Sequence, residues 1–148
     1  MKRYILLLII GAVISNGVFS DDTCNHEASV EAAPQGGSLR DAPPFKSEIK
    51  IDGNIVKLYI YDQKLKAVKY DKDTLSGFVQ FPRQEKKSIS FKRIAELKPI
   101  TIKNVGTITE RYEASIPGIN KVHRYDMHVN LAVGDKTARA DFGVDNIH

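Results

Sequence analysis

Cys24-Asn25-His26 places a thiol and an imidazole two residues apart, with Asp21, Asp22 and Glu27 alongside. Sulfur and imidazole donors together suit soft and borderline ions, here Cu(I) or Zn(II). The stretch supplies two good ligands where a closed structural site needs four, and its spacing is equally that of a polar leader carrying an isolated Cys and His. Two further imidazoles, His123 and His128, lie far along the chain, and His148 ends it. Five residues apart on one strand, His123 and His128 project to opposite faces and share a metal only across a bulge or turn. His128 alternates with Arg124, Asp126 and Asn130 and is expected to face solvent. No Ser, Cys or Asp sits in a Gly-rich nucleophile turn, and no phosphate-cradling loop is present. The sequence therefore predicts no catalytic residues and no enzyme. Tyr59 and Tyr61 are the remaining pair: either an exposed aromatic contact surface, or cross-strand partners that cover a sheet.

The first twenty residues read as an address. Lys2 and Arg3 precede an apolar run from Tyr4 to Ile14, and Val18-Phe19-Ser20 offers a cleavage site. This is the layout of a secretory signal peptide cut after Ser20. The apolar run is too short to span a hydrocarbon layer about 30 Å thick, so no stable membrane span is expected. Asp21-Asp22-Thr23 before Cys24 is the wrong chemistry for a lipid-anchoring site. Without the leader, 20 Lys and Arg stand against 18 Asp and Glu, and they are interspersed. That balance excludes a nucleic-acid footprint, which gathers Lys and Arg on one face in large excess. A single Cys excludes an internal disulfide, so the fold must stand on packing.

These residues need elements to position them, and the period of the chain supplies strands. Residues 21–44 lack an apolar period and read as a flexible tail closed by Pro43-Pro44. From Phe45 the period is two. Ile49 and Ile51 alternate with charged residues, and Asp52-Gly53-Asn54 supplies a hairpin turn. Val56, Leu58 and Ile60 then share one face, with Lys57, Tyr59 and Tyr61 on the other. Asp62-Gln63-Lys64 is a second turn. Leu75, Gly77, Val79 and Phe81 form the next row, then Ile89 and Phe91, Ile100 and Ile102, and Tyr112, Ala114 and Ile116. Tyr125 to Val133 and Ala138 to Val144 flank Gly134-Asp135. Only Arg93 to Leu97 hints at a helical turn. Seven or eight short strands with turns every 8–12 residues predict an all-β antiparallel sandwich over residues 45–148. A small closed barrel is the alternative.

The chain also resembles small exported Ig-like proteins associated with heavy-metal efflux systems, and a similar module of periplasmic adaptor subunits in such pumps. The residues that carry the likeness are His26, Gln35-Gly36-Gly37, Phe45 to Ile51, Val56 to Asp62, Lys66-Ala67-Val68, and the closing hairpin around Gly134-Asp135-Lys136. The family's tail usually holds several histidines; this one has His26 alone, with Gln35 where a His often precedes the glycine pair. The resemblance implies an Ig-like β-sandwich in the periplasm, acting as a binding or docking accessory to metal-cation handling, with an envelope or efflux protein as partner. On that reading Cys24 and His26 hold Cu or Zn, with His123 or His128 as a third ligand from the domain. The competing expectation is a protein-interaction module, monomer or weak dimer, that meets another envelope protein through Tyr59 and Tyr61.

Overall fold

The computed structural model describes residues 31–145. The expected leader, Cys24, His26 and His148 therefore lie outside the described residues. Period-two alternation produces eight strands: β1 (Ser38–Ala42), β2 (Phe45–Asp52), β3 (Ile55–Asp62), β4 (Thr74–Gln80), β5 (Lys87–Ile102), β6 (Gly106–Ser115), β7 (Arg124–Val133) and β8 (Lys136–Asp145). A single 3₁₀ turn, Ile119–Lys121, precedes β7. All strands belong to one antiparallel sheet in the order β1-β2-β3-β6-β5-β4-β7-β8. The sheet is nearly barrel-shaped, and Arg40 on β1 donates to the Gly143 carbonyl on β8 at 3.3 Å, bridging its two end strands. The all-β antiparallel architecture is the one the alternation predicts.

The inward rows are also the expected ones. Val56, Leu58 and Ile60 of β3 meet Leu75 and Val79 of β4, Phe91 of β5, Tyr112 and Ala114 of β6, and Met127, Val129 and Leu131 of β7. Each side chain withdrawn from water in this way contributes about 1.5–3 kcal/mol. The turns follow their chemistry. Gly53 takes φ 60° at the first position of the two-residue β2–β3 turn, where a side chain would be strained. Asp62 Oδ1 accepts from the amides of Lys64 and Lys66, both at 2.8 Å, and so closes the second turn.

Three departures from the expected elements bear on function. First, the sheet begins before the proline pair rather than after it. Residues 38–42 pair with β2 along their whole length, and Pro43-Pro44 (a cis peptide) forms the turn between them. Second, Arg93 to Leu97 lies within β5 and makes no helical turn. Arg93, Ile94 and Ala95 pair with Tyr112, Arg111 and Glu110 of β6, and this ladder overrides the local preference. Third, β3 parts from β6 after Leu58. The Ile60 amide, left without a ladder partner on that side, donates instead to Tyr70 Oη at 2.8 Å. The Tyr70 ring stacks on Tyr112 with centroids 4.8 Å apart.

Candidate functional site: a cationic hollow beside the β5 bulge

Lys46, Glu48 and Lys50 of β2 and Lys57, Tyr59 and Tyr61 of β3 alternate with the inward rows and so occupy the outer sheet face. The two tyrosines are nevertheless 4% and 1% exposed, which corrects the expectation of an aromatic contact surface. They form a second apolar cluster with Val105 and Ile108, backed by Leu39, Leu65, Ala67, Ile100 and Ile102. The reason is topological. Where β3 parts from β6, the chain after the Asp62 turn folds back, so that Ala67 pairs with Tyr61 and donates to the Val105 carbonyl. The cross-strand packing alternative is the one realised. Burial pushes the Tyr59 hydroxyl up to about 12, with the Glu96 carboxylate beside it adding to the effect. Burial, and then the neighbouring Glu48, raise Tyr61 further.

Glu48 is wholly buried on this face. Its carboxyl group accepts from the Gln35 amide at 3.0 Å, the Gly37 amide at 2.6 Å and the Tyr61 hydroxyl at 2.9 Å. That arrangement pins the segment before β1 across the sheet. Gly37 must be glycine, because a Cβ there would stand 2.2 Å from the Ile49 carbonyl oxygen. Glu31 adds an ion pair with Lys46.

β5 is the other wall. Its register with β6 breaks between Ala95, opposite Glu110, and Ile100, opposite Ile108, so residues 96–99 stand against Thr109 alone. Pro99 lacks the amide a regular ladder would need, and prolines within sheets are found at such irregularities. The bulge is anchored on one side: Arg111 donates to Glu96 at 2.5 Å and to Glu113 at 2.7 Å. On the other side it projects Leu97, which is 100% exposed. Between the bulge and β2 lies a cavity of about 440 Å³, with Tyr59 and Ile100 among its lining residues and Gln35, Lys50, Lys57, Glu96, Leu97, Lys98 and Arg111 completing it. Four cations and one carboxylate line it.

The charges are arranged against their own interest. Lys50 and Lys57 are directly opposite on β2 and β3, and like charges in that relation are destabilising. Lys57 is offset by Asp52 at 3.0 Å, outside the cavity lining, while Lys50 donates only to the Gln35 carbonyl at 3.3 Å. Lys98 has no partner among the described residues. Gln35 Nε2 is buried and has no acceptor among them. The hollow offers ammonium groups to an acceptor, and its lining residues include no nucleophile paired with a base.

The histidines lie elsewhere. His123 is in the exposed bend before β7, and His128 is on the outer face of β7 as expected. His128 Nδ1 is 2.5 Å from Asp141 Oδ1, and Arg139 donates to the same carboxylate at 2.8 Å. The His128 contact, followed by Arg139, holds the Asp141 carboxyl below the usual range. The two histidines thus do not meet on one strand, and no group of three or more His, Cys, Asp or Glu fit to hold a metal occurs among the described residues. Sequence reasoning missed Gln35, Lys50, Leu97 and Lys98. The one available signal was Leu97-Lys98-Pro99 inside an alternating run, since a proline there calls for a bulge. No helix among the described residues is long and apolar enough to cross a membrane. No protein-family model, curated protein or solved structure matches the chain.

Proposed function

We propose that the protein is an exported, non-catalytic binding module of the cell envelope, and that it meets its partner through the hollow between β2 and the β5 bulge. Leu97 carries this reading. A single exposed leucine is ordinary on a protein surface, but this one tops a bulge tied down by Glu96 and Arg111, on the rim of a cavity lined by a buried tyrosine. A held apolar residue beside a concavity has the form of an anchor that a partner surface can bury, and buried apolar area stabilises association. Export rests on Lys2, Arg3 and the apolar run to Ile14. The interaction reading is favoured over metal handling because His128, a described histidine offered as a further ligand, is already engaged by Asp141. The test is photo-crosslinking in the host cell, with a benzophenone amino acid at position 97 and, as control, at exposed Thr137 on β8. A discrete adduct from position 97 alone is the expected result. Adducts from position 137 alone would misplace the contact face, and none from either would remove the function.

A further inference from the structure

We infer that the hollow recognises an acidic, extended peptide segment of a partner protein, in which carboxylates flank an apolar side chain. This rests on the contact face proposed above and names the chemistry of its occupant. Two observations converge on an anion. Lys50 and Lys57 stand directly opposite each other, a like-charged pair that an anion between them would relieve. Lys98 projects from the facing bulge without a carboxylate of its own among the described residues.

Two observations favour a peptide over a small anion. The cavity carries an apolar side, Tyr59, Ile100 and the wholly exposed Leu97, which a simple anion leaves wet. The ammonium groups are also distributed over two walls, the β2–β3 pair and the bulge, rather than gathered at one point, so they match carboxylates spaced along a chain. In an extended segment, alternate side chains share a face. A Glu-Leu-Glu type of sequence therefore turns its carboxylates to one side and its apolar residue to the other. The electrostatic part of such binding is screened by salt, since the cations are at the surface.

The probe is a fluorescein-labelled peptide of three Glu-Leu repeats, with three Lys-Leu repeats and three Glu-Ser repeats as controls, read by anisotropy on residues 21–148 at low and high salt. The Glu-Leu peptide should bind at least tenfold more tightly than either control. Its affinity should fall at least tenfold in a Lys50→Gln, Lys98→Glu variant whose thermal midpoint is unchanged, and it should weaken with salt. Equal binding of the Lys-Leu peptide, or indifference to the double variant, would overturn the inference. Equal binding of the Glu-Ser peptide would overturn the apolar half of it. If Lys98→Glu disturbs folding, Lys98→Gln gives the same comparison without charge reversal. The crosslink from position 97 separates the two levels of argument. Its persistence in the Lys50→Gln, Lys98→Glu variant would leave the contact face standing and remove the acidic partner.

Discussion

Glu48 is the residue on which the outer face depends. A carboxyl group without access to water is tolerated there because three donors converge on it: the amides of Gln35 and Gly37 and the Tyr61 hydroxyl. The structure separates two ways of removing it. In Glu48→Gln the remaining oxygen still serves the two amides, and the Tyr61 hydroxyl turns to accept from the new amide, so the cost is about 1–2 kcal/mol. In Glu48→Ala all three donors stay buried without an acceptor, and the cost rises to about 3–5 kcal/mol. Urea unfolding should show both as a lowered midpoint with unchanged slope, in that order. Equal destabilisation by the two variants would mean that the carboxylate itself, rather than an acceptor the isosteric amide can replace, holds the segment. Gly37→Ala belongs to the same argument from the other side. Its Cβ would meet the Ile49 carbonyl at 2.2 Å, so the segment must lift from β2 and take the Glu48 contacts with it. It should cost at least as much as Glu48→Gln.

At the scale of the element, the β5 bulge is an addition to a ladder that would close without it. Ala95 opposite Glu110 and Ile100 opposite Ile108 leave one residue of β6, Thr109, against residues 96–99. Removing Leu97-Lys98-Pro99 would bring Glu96 opposite Thr109 and restore one-to-one pairing. The deletion should therefore keep the fold, with a thermal midpoint within a few degrees of the parent, and abolish the peptide binding assigned to this face. Loss of the fold on deletion would instead make the bulge a structural necessity. This element also marks how far the sequence could be read. The rows that face the core, such as Leu75-Gly77-Val79-Phe81 and Tyr125 to Leu131, were legible because burial of one face imposes a period of two. The hairpin turns at Gly53 and Gly134 were legible because both need a positive φ. The burial of Tyr59 and Tyr61 was not, since it depends on where β3 leaves β6, a long-range event that local alternation does not encode. Nor was β1: residues 38–42 lack an apolar period because their partner is β2 and the segment's anchor is a single carboxyl ten residues from Ser38. The hollow was invisible for the same reason, being assembled from Gln35, β2, β3 and the β5 bulge.

For the whole molecule, the tyrosines connect both apolar clusters to one measurable quantity. Tyr70, Tyr112 and Tyr125 lie in the main core and Tyr59 and Tyr61 in the outer cluster, and none is more than 4% exposed. Burial, which disfavours the phenolate, raises all five: Tyr59, Tyr112 and Tyr125 to about 12, Tyr61 and Tyr70 beyond that. An unfolded tyrosine ionises near pH 10. Between about pH 10 and 12 the folded chain therefore holds protons that the unfolded chain has released, and stability falls as pH rises through that window. It is fully present below pH 10. Each tenfold difference in proton affinity corresponds to about 1.4 kcal/mol, so five such groups together rival the roughly 5–15 kcal/mol that hold a domain folded. The sheet should consequently give way before its tyrosines titrate individually. Raising the pH of residues 21–148 should leave absorbance at 295 nm flat past pH 10, then produce a single steep rise that coincides with loss of the β signal in far-ultraviolet circular dichroism. A gradual phenolate signal centred near pH 10 with the circular dichroism intact would show that these rings are open to solvent, and would return Tyr59 and Tyr61 to the role of an exposed contact surface.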